Sequence, residues 1–200
     1  MLQEKREKFK KIEVKTGQIF SKLGLTPNQL TLISVLFAFI SVYFLIKIEL
    51  ISALIFYFVA AILDFIDGAV ARFKNLATKR GAFLDTICDR YVEGVILLGF
   101  LFLPLKDLVL PAEVWIFLAL FGSVMTTYSK AAAKEKEIIK EELKKGFLGR
   151  GERMILIFLT LILGIWNITS MIYPILILAI LSNLGALQRI AIILSLKNTE

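Results

Sequence analysis

The stretch that decides the fold is "LDFIDGAVARFKNLATKRGAFLDTICDR", residues 63–90, which lies between long runs of Leu, Ile, Val and Phe. The chain around it is 58% hydrophobic and only 20% charged, a composition typical of a protein that crosses the bilayer several times. A charged side chain that faces lipid costs on the order of 3 kcal/mol. The four aspartates of the stretch are therefore expected to have a function, and they are Asp64, Asp67, Asp85 and Asp89.

Apolar windows of about 20 residues predict helices that cross the roughly 30 Å hydrocarbon layer. We predict an all-α integral membrane protein with six transmembrane helices, and we expect residues 1–200 to form one domain. The six windows are 30–47, 51–72, 82–104, 112–130, 153–169 and 171–194.

Lys and Arg cluster in residues 1–28, 72–80 and 130–153, whereas the alternate connections hold one or none. Because basic loops stay on the cytoplasmic side, both termini and the aspartates are expected there, in the cell membrane. The net charge of +7 then favours anionic lipids and substrates over nucleic acid. The juxtamembrane segment 1–28 mixes apolar residues with lysines, which predicts an amphipathic interfacial helix, with a solvated basic tail as the alternative.

The aspartates are spaced i,i+3 in the second span and i,i+4 in the third, so each pair projects from one helix face. Counting about 1.5 Å of rise per residue from the short basic loop places both pairs at the same depth. Four carboxylates that converge repel one another and need cations. The alternatives are a salt-bridge network that only holds the helices together, a pathway for protons or cations, and a scaffold without chemistry.

The available donor atoms favour a hard metal ion. The chain has no histidine and one cysteine, Cys88, so the cluster offers oxygen ligands, which suit Mg²⁺, Mn²⁺ or Ca²⁺. Two such ions can stabilise a phosphoryl group during transfer. Gly68 and Gly81 allow close approach because they lack side chains, and Arg72 can bind a phosphate with two parallel hydrogen bonds.

The fixed residues follow the pattern D-x2-D-G-x2-A-R-x8-G-x3-D-x3-D, and through it the chain resembles the CDP-alcohol phosphotransferase family. Every fixed residue and gap from Asp64 to Asp89 is kept. The resemblance implies a homodimeric membrane enzyme with a two-metal site for Mg²⁺ or Mn²⁺. It also implies a CDP-lipid donor, CDP-diacylglycerol or CDP-archaeol, whose phospholipid part is transferred to an alcohol with release of CMP.

The family's residue roles carry over by position. They imply that Asp64, Asp67 and Asp85 bind the metals, and that Asp89 helps to bind the second metal and acts as the general base. For Thr31 the alternative is a hydroxyl bonded to its own helix backbone. The residues implied to border the CDP, including weaker candidates from the similar segment "TPNQLT", are Gly68, Ala71, Arg72, Thr78, Gly81, Asn28 and Thr31.

Basic residues at the cytoplasmic ends of the later spans suggest an acceptor that carries a phosphate. The segments "TTYSKAAAKE" and "GRGERM" resemble the subfamily of phosphatidylinositol-phosphate and archaetidylinositol-phosphate synthases. The resemblance implies inositol phosphate as acceptor, while glycerol phosphate, serine, or CDP-inositol with inositol phosphate stay open. The residues expected to bind the acceptor, at the depth of the aspartates, are Lys130, Arg150, Arg153 and Arg189; for the first two, snorkelling to the interface is the alternative.

Overall fold

The computed structural model describes residues 12–139 and 147–196. Within these residues the chain forms seven α-helices and no β-strand, which confirms the predicted all-α class. The helices are 12–20 (α1), Pro27–Ile46 (α2), Leu50–Phe73 (α3), Lys79–Phe100 (α4), Ala112–Glu135 (α5), Arg150–Trp166 (α6) and Ile172–Ser195 (α7).

Four of the described helices are long and apolar enough to cross a membrane: α2, α3, α5, and α7 with the short 3-10 turn before it. The other two long helices differ for physical reasons. Helix α4 carries the charged residues of the third predicted window, and α6 has only 17 residues, near the lower limit for a span. Crossing by α4 and α6, and the side on which the termini lie, stay predictions.

A reciprocal cap fixes the start of α2. Thr26 Oγ1 accepts a hydrogen bond from the Gln29 backbone N–H at 3.3 Å, and Gln29 Oε1 accepts one from the Thr26 N–H at 2.8 Å. Pro27 occupies the first helical position, where a missing N–H costs nothing. The first turns of α2 carry Asn28 and Thr31, and Thr31 contacts Asp67 of α3.

The end of α3 is equally well defined. Asn75 has a left-handed backbone, with φ of 54°, and its N–H donates to the Arg72 carbonyl at 3.3 Å. The N–H of Leu76 donates to the Ala71 carbonyl at 2.8 Å, which completes a Schellman motif. The helix therefore stops just after Arg72, and the chain turns directly toward α4.

The described residues divide into two compact units. The first contains the described residues up to Phe44 together with Ser52–Ile96, and the second contains Leu45–Ile51 and the described residues from Leu97 onward. The sequence pattern from Asp64 to Asp89, with its four signature aspartates, lies wholly in the first unit. The four basic residues that are expected to bind the acceptor lie in the second unit. The expectation of one domain stays a prediction.

In the first unit, α1 is docked onto α3. A Cβ on Gly17 would lie 2.6 Å from the Ala69 carbonyl oxygen, so the two helices approach at backbone distance. Phe20 packs against the buried cluster of Leu30, Ile66 and Val70. The predicted helix is confirmed over 12–20, and its place at a membrane interface stays a prediction; the rest of its N-terminal part, residues 1–11, lies outside the described residues.

In the second unit, α5 and α7 pack through small residues. A Cβ on Gly122 would lie 2.7 Å from the Asn183 backbone nitrogen, which leaves no room for a side chain. The Asn183 side chain donates to the Leu118 carbonyl at 2.8 Å, and the Ser182 hydroxyl lies 3.4 Å from the Ala119 carbonyl oxygen. Small residues bring the helices close enough for polar side chains to reach the neighbouring backbone.

Candidate functional site

Three of the four signature aspartates meet at one point. Asp64 and Asp67 of α3 and Asp85 of α4 each place a carboxylate oxygen within 4.8 Å of the others. Asp67 is buried, and the other two are half-buried. Asp89 is buried one helical turn further along α4 and is not part of this group of described residues. The predicted convergence of α3 and α4 is therefore seen for three carboxylates.

A hydroxyl of α2 holds one of these carboxylates. Thr31 Oγ1 lies 2.5 Å from Asp67 Oδ2 and 3.0 Å from the Pro27 carbonyl oxygen, and its single hydrogen serves one of them at a time. Thr31 is only 4% exposed, so the bond to Asp67 is shielded from water. Thr31 therefore contacts a signature aspartate and the backbone of its own helix, and its role beside the CDP stays a prediction.

A cavity of about 150 Å³ lies beside the aspartates within the first unit. All seven residues that were expected to border the CDP line it. The cavity combines an open backbone at two glycines with hydroxyl, amide, guanidinium and carboxylate groups. Its lining residues are Pro27, Asn28, Thr31, Asp67, Gly68, Ala71, Arg72, Leu76, Ala77, Thr78, Gly81, Ala82 and Asp85.

The start of α4 forms one wall of this cavity. Thr78 precedes the helix, and its Oγ1 accepts a hydrogen bond from the Gly81 N–H at 3.0 Å. A Cβ on Gly81 would lie 3.2 Å from Thr78 Oγ1 and 3.3 Å from Asn28 Oδ1. Glycine at this position therefore lets the two polar side chains converge at the helix N-terminus, where N–H groups favour an anion.

Arg72 also lines this cavity, and its guanidinium lies near Glu13 and Gly68. Its Nε donates to Glu13 Oε1 of α1. A Cβ on Gly68 would lie 3.0 Å from Arg72 Nη2, so the guanidinium folds back over the glycine. From the sequence, Gly68 was expected to allow close approach of a phosphate, and Arg72 was expected to bind it. In the structure the Arg72 guanidinium lies next to Gly68.

The acidic face of α4 continues beyond the signature. Glu93 follows Asp89 by four residues, as Asp89 follows Asp85, so all three lie on one face. Glu93 is buried and accepts a hydrogen bond from Arg90 Nη1 at 2.6 Å. Sequence reasoning missed this pair, although the repeated i,i+4 spacing was a usable signal. Arg90 and Glu93 thus form a partly buried ion pair within α4.

In the second unit, two of the predicted acceptor residues meet at Thr126. Arg153 Nη1 lies 3.3 Å from Thr126 Oγ1 and donates to the Leu148 carbonyl at 3.3 Å. Arg189 Nη1 donates to the Thr126 carbonyl at 2.6 Å. Both arginines are buried. Thr126 therefore joins α5 to a cation of α6 and a cation of α7.

The other two predicted acceptor residues are half-buried near helix ends. Lys130 lies one turn after Thr126 on α5, and Arg150 is the first residue of α6. All four cations thus belong to the second unit.

Glu13 and Thr126 were missed by sequence reasoning for different reasons. Glu13 is 59 residues from Arg72 in the chain, and no short pattern connects them. Thr126 lies in the polar run "TTYSK" inside an apolar window, which could have marked it.

The chain is similar in sequence to members of one protein family. A family model described as CDP-alcohol phosphatidyltransferase matches residues 24–194. The archaetidylinositol phosphate synthase of Pyrococcus horikoshii is 35% identical over 193 residues, which cover 95% of this chain and 95% of that protein. A bifunctional IPC transferase and DIPP synthase of Aquifex aeolicus is 34% identical over 84% of this chain, but the match covers 39% of that longer protein.

Solved structures share the fold. The Mycobacterium tuberculosis phosphatidylinositol phosphate synthase with CDP-DAG bound matches with a TM-score of 0.79 and 21% identity, over 94% of this chain and 96% of that one. The same enzyme in complex with manganese and citrate matches with a TM-score of 0.80 and 22% identity, over 93% and 90% of the two chains. At this identity the match establishes the fold alone.

Proposed function

We propose that this chain, which belongs to the CDP-alcohol phosphatidyltransferase family, transfers the phospholipid part of a CDP-lipid to the hydroxyl of inositol phosphate and releases CMP. The observation that carries the proposal is the group of three carboxylates at the edge of a cavity lined by the signature residues. The Pyrococcus relative, an archaetidylinositol phosphate synthase by name, supports inositol phosphate as the acceptor. Glycerol phosphate, serine, or CDP-inositol with inositol phosphate are the other acceptor systems to be tested.

The aspartates fit a divalent metal. Three carboxylate oxygens within 4.8 Å of one another, with no nitrogen or sulfur donor in the group, suit Mg²⁺ or Mn²⁺. We assign Asp64, Asp67 and Asp85 to the metals, with Asp89 as a further ligand in a two-metal site. When bound, the metals would neutralise the charge on the diphosphate. Thr31 keeps the Asp67 carboxylate oriented for this task.

The donor occupies the cavity of the first unit in this proposal. Arg72 binds a phosphate oxygen with the Nη edge of its guanidinium, and Gly68, which has no side chain, leaves room for that guanidinium. Thr78, Asn28 and the N–H groups at the start of α4 bind the diphosphate as well. CDP-diacylglycerol and CDP-archaeol share the headgroup that these residues would contact.

The reaction is a phosphoryl-type transfer. The acceptor hydroxyl oxygen attacks the phosphorus that carries the lipid, the bond from that phosphorus to the bridging oxygen breaks, and CMP leaves with that oxygen. Asp89 takes the hydroxyl proton as general base. Asp89 is buried and lies one helical turn after Asp85 on α4.

The acceptor phosphate is bound by the cations of the second unit. Arg153 and Arg189 are held at Thr126, so their guanidinium groups lose little further freedom on binding a phosphate. Lys130, one turn along α5, and Arg150 complete the proposed set.

The proposed setting is the cell membrane. The apolar helices and the family support an integral membrane protein. We propose six spans, including α4 and α6, with both termini and the active site on the cytoplasmic side, because loops rich in Lys and Arg generally stay on that side of a membrane. We also propose a homodimer and one continuous domain.

Release of CMP tests the function directly. Purified protein is incubated with CDP-diacylglycerol or CDP-archaeol, Mg²⁺ or Mn²⁺, and each candidate acceptor. We expect the fastest CMP release with inositol phosphate. No release with any acceptor would refute the proposal, and cation flux into liposomes without lipid turnover would favour a carrier. Asp89→Asn should lose turnover but still bind CDP; loss of CDP binding would make Asp89 a ligand only.

A further inference from the structure

The ion pair between Glu13 and Arg72 joins the N-terminal helix to the wall of the cavity. Glu13 lies on α1, and its Oε1 accepts a hydrogen bond from Arg72 Nε. The Glu13 side chain is 19% exposed, whereas the Arg72 side chain is 60% exposed. The carboxylate is therefore the more shielded member of the pair, and the arginine is the one that reaches the open cavity.

The carboxylate is carried by a helix with little freedom to move. Gly17 lies one turn after Glu13 and brings α1 to within backbone distance of Ala69, and Phe20 packs on the buried cluster of the unit. Arg72 itself has a long, flexible side chain whose ordering costs free energy. A fixed carboxylate on its Nε lowers the number of positions that the guanidinium can occupy.

Glu13 contacts one edge of the Arg72 guanidinium, and the other edge lies near Gly68. Glu13 takes Nε, while Nη2 and Nη1 are the atoms nearest to Gly68, at 3.0 and 3.4 Å from an ideal Cβ there. Gly68 lines the cavity. The paired Nη groups are the ones that bind a phosphate with two parallel hydrogen bonds. Glu13 therefore orients the guanidinium without occupying its phosphate-binding edge.

We infer that Glu13 is a positioning residue for the CDP-lipid donor, and that the docked N-terminal helix α1 is thereby part of the donor site. This inference rests on the proposed function, because Arg72 is the residue through which Glu13 acts. A carboxylate that competed with the diphosphate for Arg72 would have the opposite effect, so the sign of the mutational change decides between the two.

The test compares Glu13→Gln with the wild-type full-length protein in two measurements: the donor KM from CMP release, and the Kd for CDP. We expect both to rise about tenfold, the change that corresponds to one lost charge-assisted interaction, with kcat changed less than about twofold. For Glu13→Asp, the donor KM and the Kd for CDP should lie between the values of the wild type and of Glu13→Gln. Gly17→Ala, which keeps the carboxylate but pushes α1 from Ala69, should raise the same two constants.

Matched controls separate this effect from charge and folding. Lys15→Gln changes one charge on the exposed side of α1, and Glu135→Gln removes the carboxylate of an exposed pair with Lys136; both should leave KM and Kd within about twofold. In an Arg72→Gln background, Glu13→Gln should add less than about twofold, because the two changes remove one interaction.

The outcomes distinguish the possible failures. An unchanged or lower Kd for CDP in Glu13→Gln would overturn the inference even if the wild type releases CMP normally. Full additivity with Arg72→Gln would likewise overturn it. A wild type that binds CDP but releases no CMP with any acceptor would refute the proposed function, while the Kd comparison would still test the role of Glu13.

Discussion

The two units hold their arginines in different ways. Arg72 of the first unit is largely exposed, lies at the end of a helix, and is contacted by the carboxylate of Glu13. Arg153 and Arg189 of the second unit are 2% and 5% exposed and donate to oxygens of Thr126. One guanidinium lies at an open cavity beside a carboxylate, and the other two are buried and contact Thr126.

The difference indicates two kinds of ligand access. A buried arginine attracts an anion more strongly than an exposed one does, because water screens the interaction less. An exposed arginine gains order from a carboxylate at small cost, because water screens the pair. In the proposed function this corresponds to a bulky CDP-lipid in the first unit and a compact, highly charged acceptor in the second. Mutations in the two units should therefore change different kinetic constants.

Asp85→Asn should have the largest effect. It removes one of the three converging carboxylates without changing side-chain volume, and the charge stabilisation that a metal supplies is worth several kcal/mol. We expect turnover to fall at least about a thousandfold, with weaker Mn²⁺ binding by titration. Glu113→Gln, an acid at the exposed start of α5, serves as control and should retain activity. If Asp85→Asn kept a tenth of wild-type turnover, the three aspartates would not form the catalytic metal site.

Arg189→Gln should have the next largest effect, and this effect should be on binding of the acceptor, inositol phosphate. Loss of a charged hydrogen bond to the acceptor phosphate predicts a rise of about thirtyfold in the KM for inositol phosphate, with an unchanged Kd for CDP. Lys106→Gln removes an exposed cation of the same unit and should leave both constants unchanged. A similar loss of CDP affinity in Arg189→Gln would break the division between the units. The melting temperature of the variant shows whether α7 still packs.

Thr31→Val should have a smaller effect, confined to the first unit. The change keeps the shape of the side chain and removes the hydrogen bond to Asp67. Residues that orient a metal-binding carboxylate typically contribute tenfold or more to metal affinity, so the Mg²⁺ concentration for half-maximal activity should rise about tenfold. Thr31→Ser keeps the hydroxyl and should remain near wild type. A rise in the acceptor KM instead would mean that Thr31 acts outside the aspartate group.

The aspartate site was predictable because its information is local. Asp64, Asp67 and Asp85 lie within a short segment whose helical spacing fixes both the face and the depth of each side chain. The structure brings those three carboxylates together and lines the adjacent cavity with the expected residues. Similar reasoning placed six long helices, with differences of a few residues at their ends: α4 ends at Phe100, before Pro104, and α6 begins at Arg150.

The contacts that escaped prediction join residues that are far apart in the chain. Thr126 and Arg189 are 63 residues apart, and Glu13 and Arg72 are 59 apart. Helical periodicity gives the face of each residue on its own helix but not the rotation of that helix against its neighbours. That rotation is set by packing at Gly17 and Gly122, where the absence of a side chain allows backbone approach. Glycine spacing alone does not indicate which helix approaches.

Substitutions of Thr78 should have the smallest effect. They distinguish two roles of its hydroxyl group, as an acceptor that caps α4 and as a hydrogen-bond donor to the substrate. Its oxygen accepts the Gly81 N–H and caps α4, while its own hydrogen can still be donated to a diphosphate oxygen. Thr78→Ala loses both tasks, Thr78→Asp keeps only the cap and adds a repulsive charge, and Thr78→Asn keeps a cap and a donor. We expect stability to fall by about 1 kcal/mol in the Ala variant alone.

The donor KM should follow a different order from stability in this series. We expect it to rise about threefold in Thr78→Ala and further in Thr78→Asp, and to stay near wild type in Thr78→Asn. If KM followed stability instead, with Asp equal to Asn, Thr78 would act only through the helix cap. The anion-binding end of α4 would then rely on its backbone N–H groups and Asn28, and it would contribute less to donor specificity than Arg72 does.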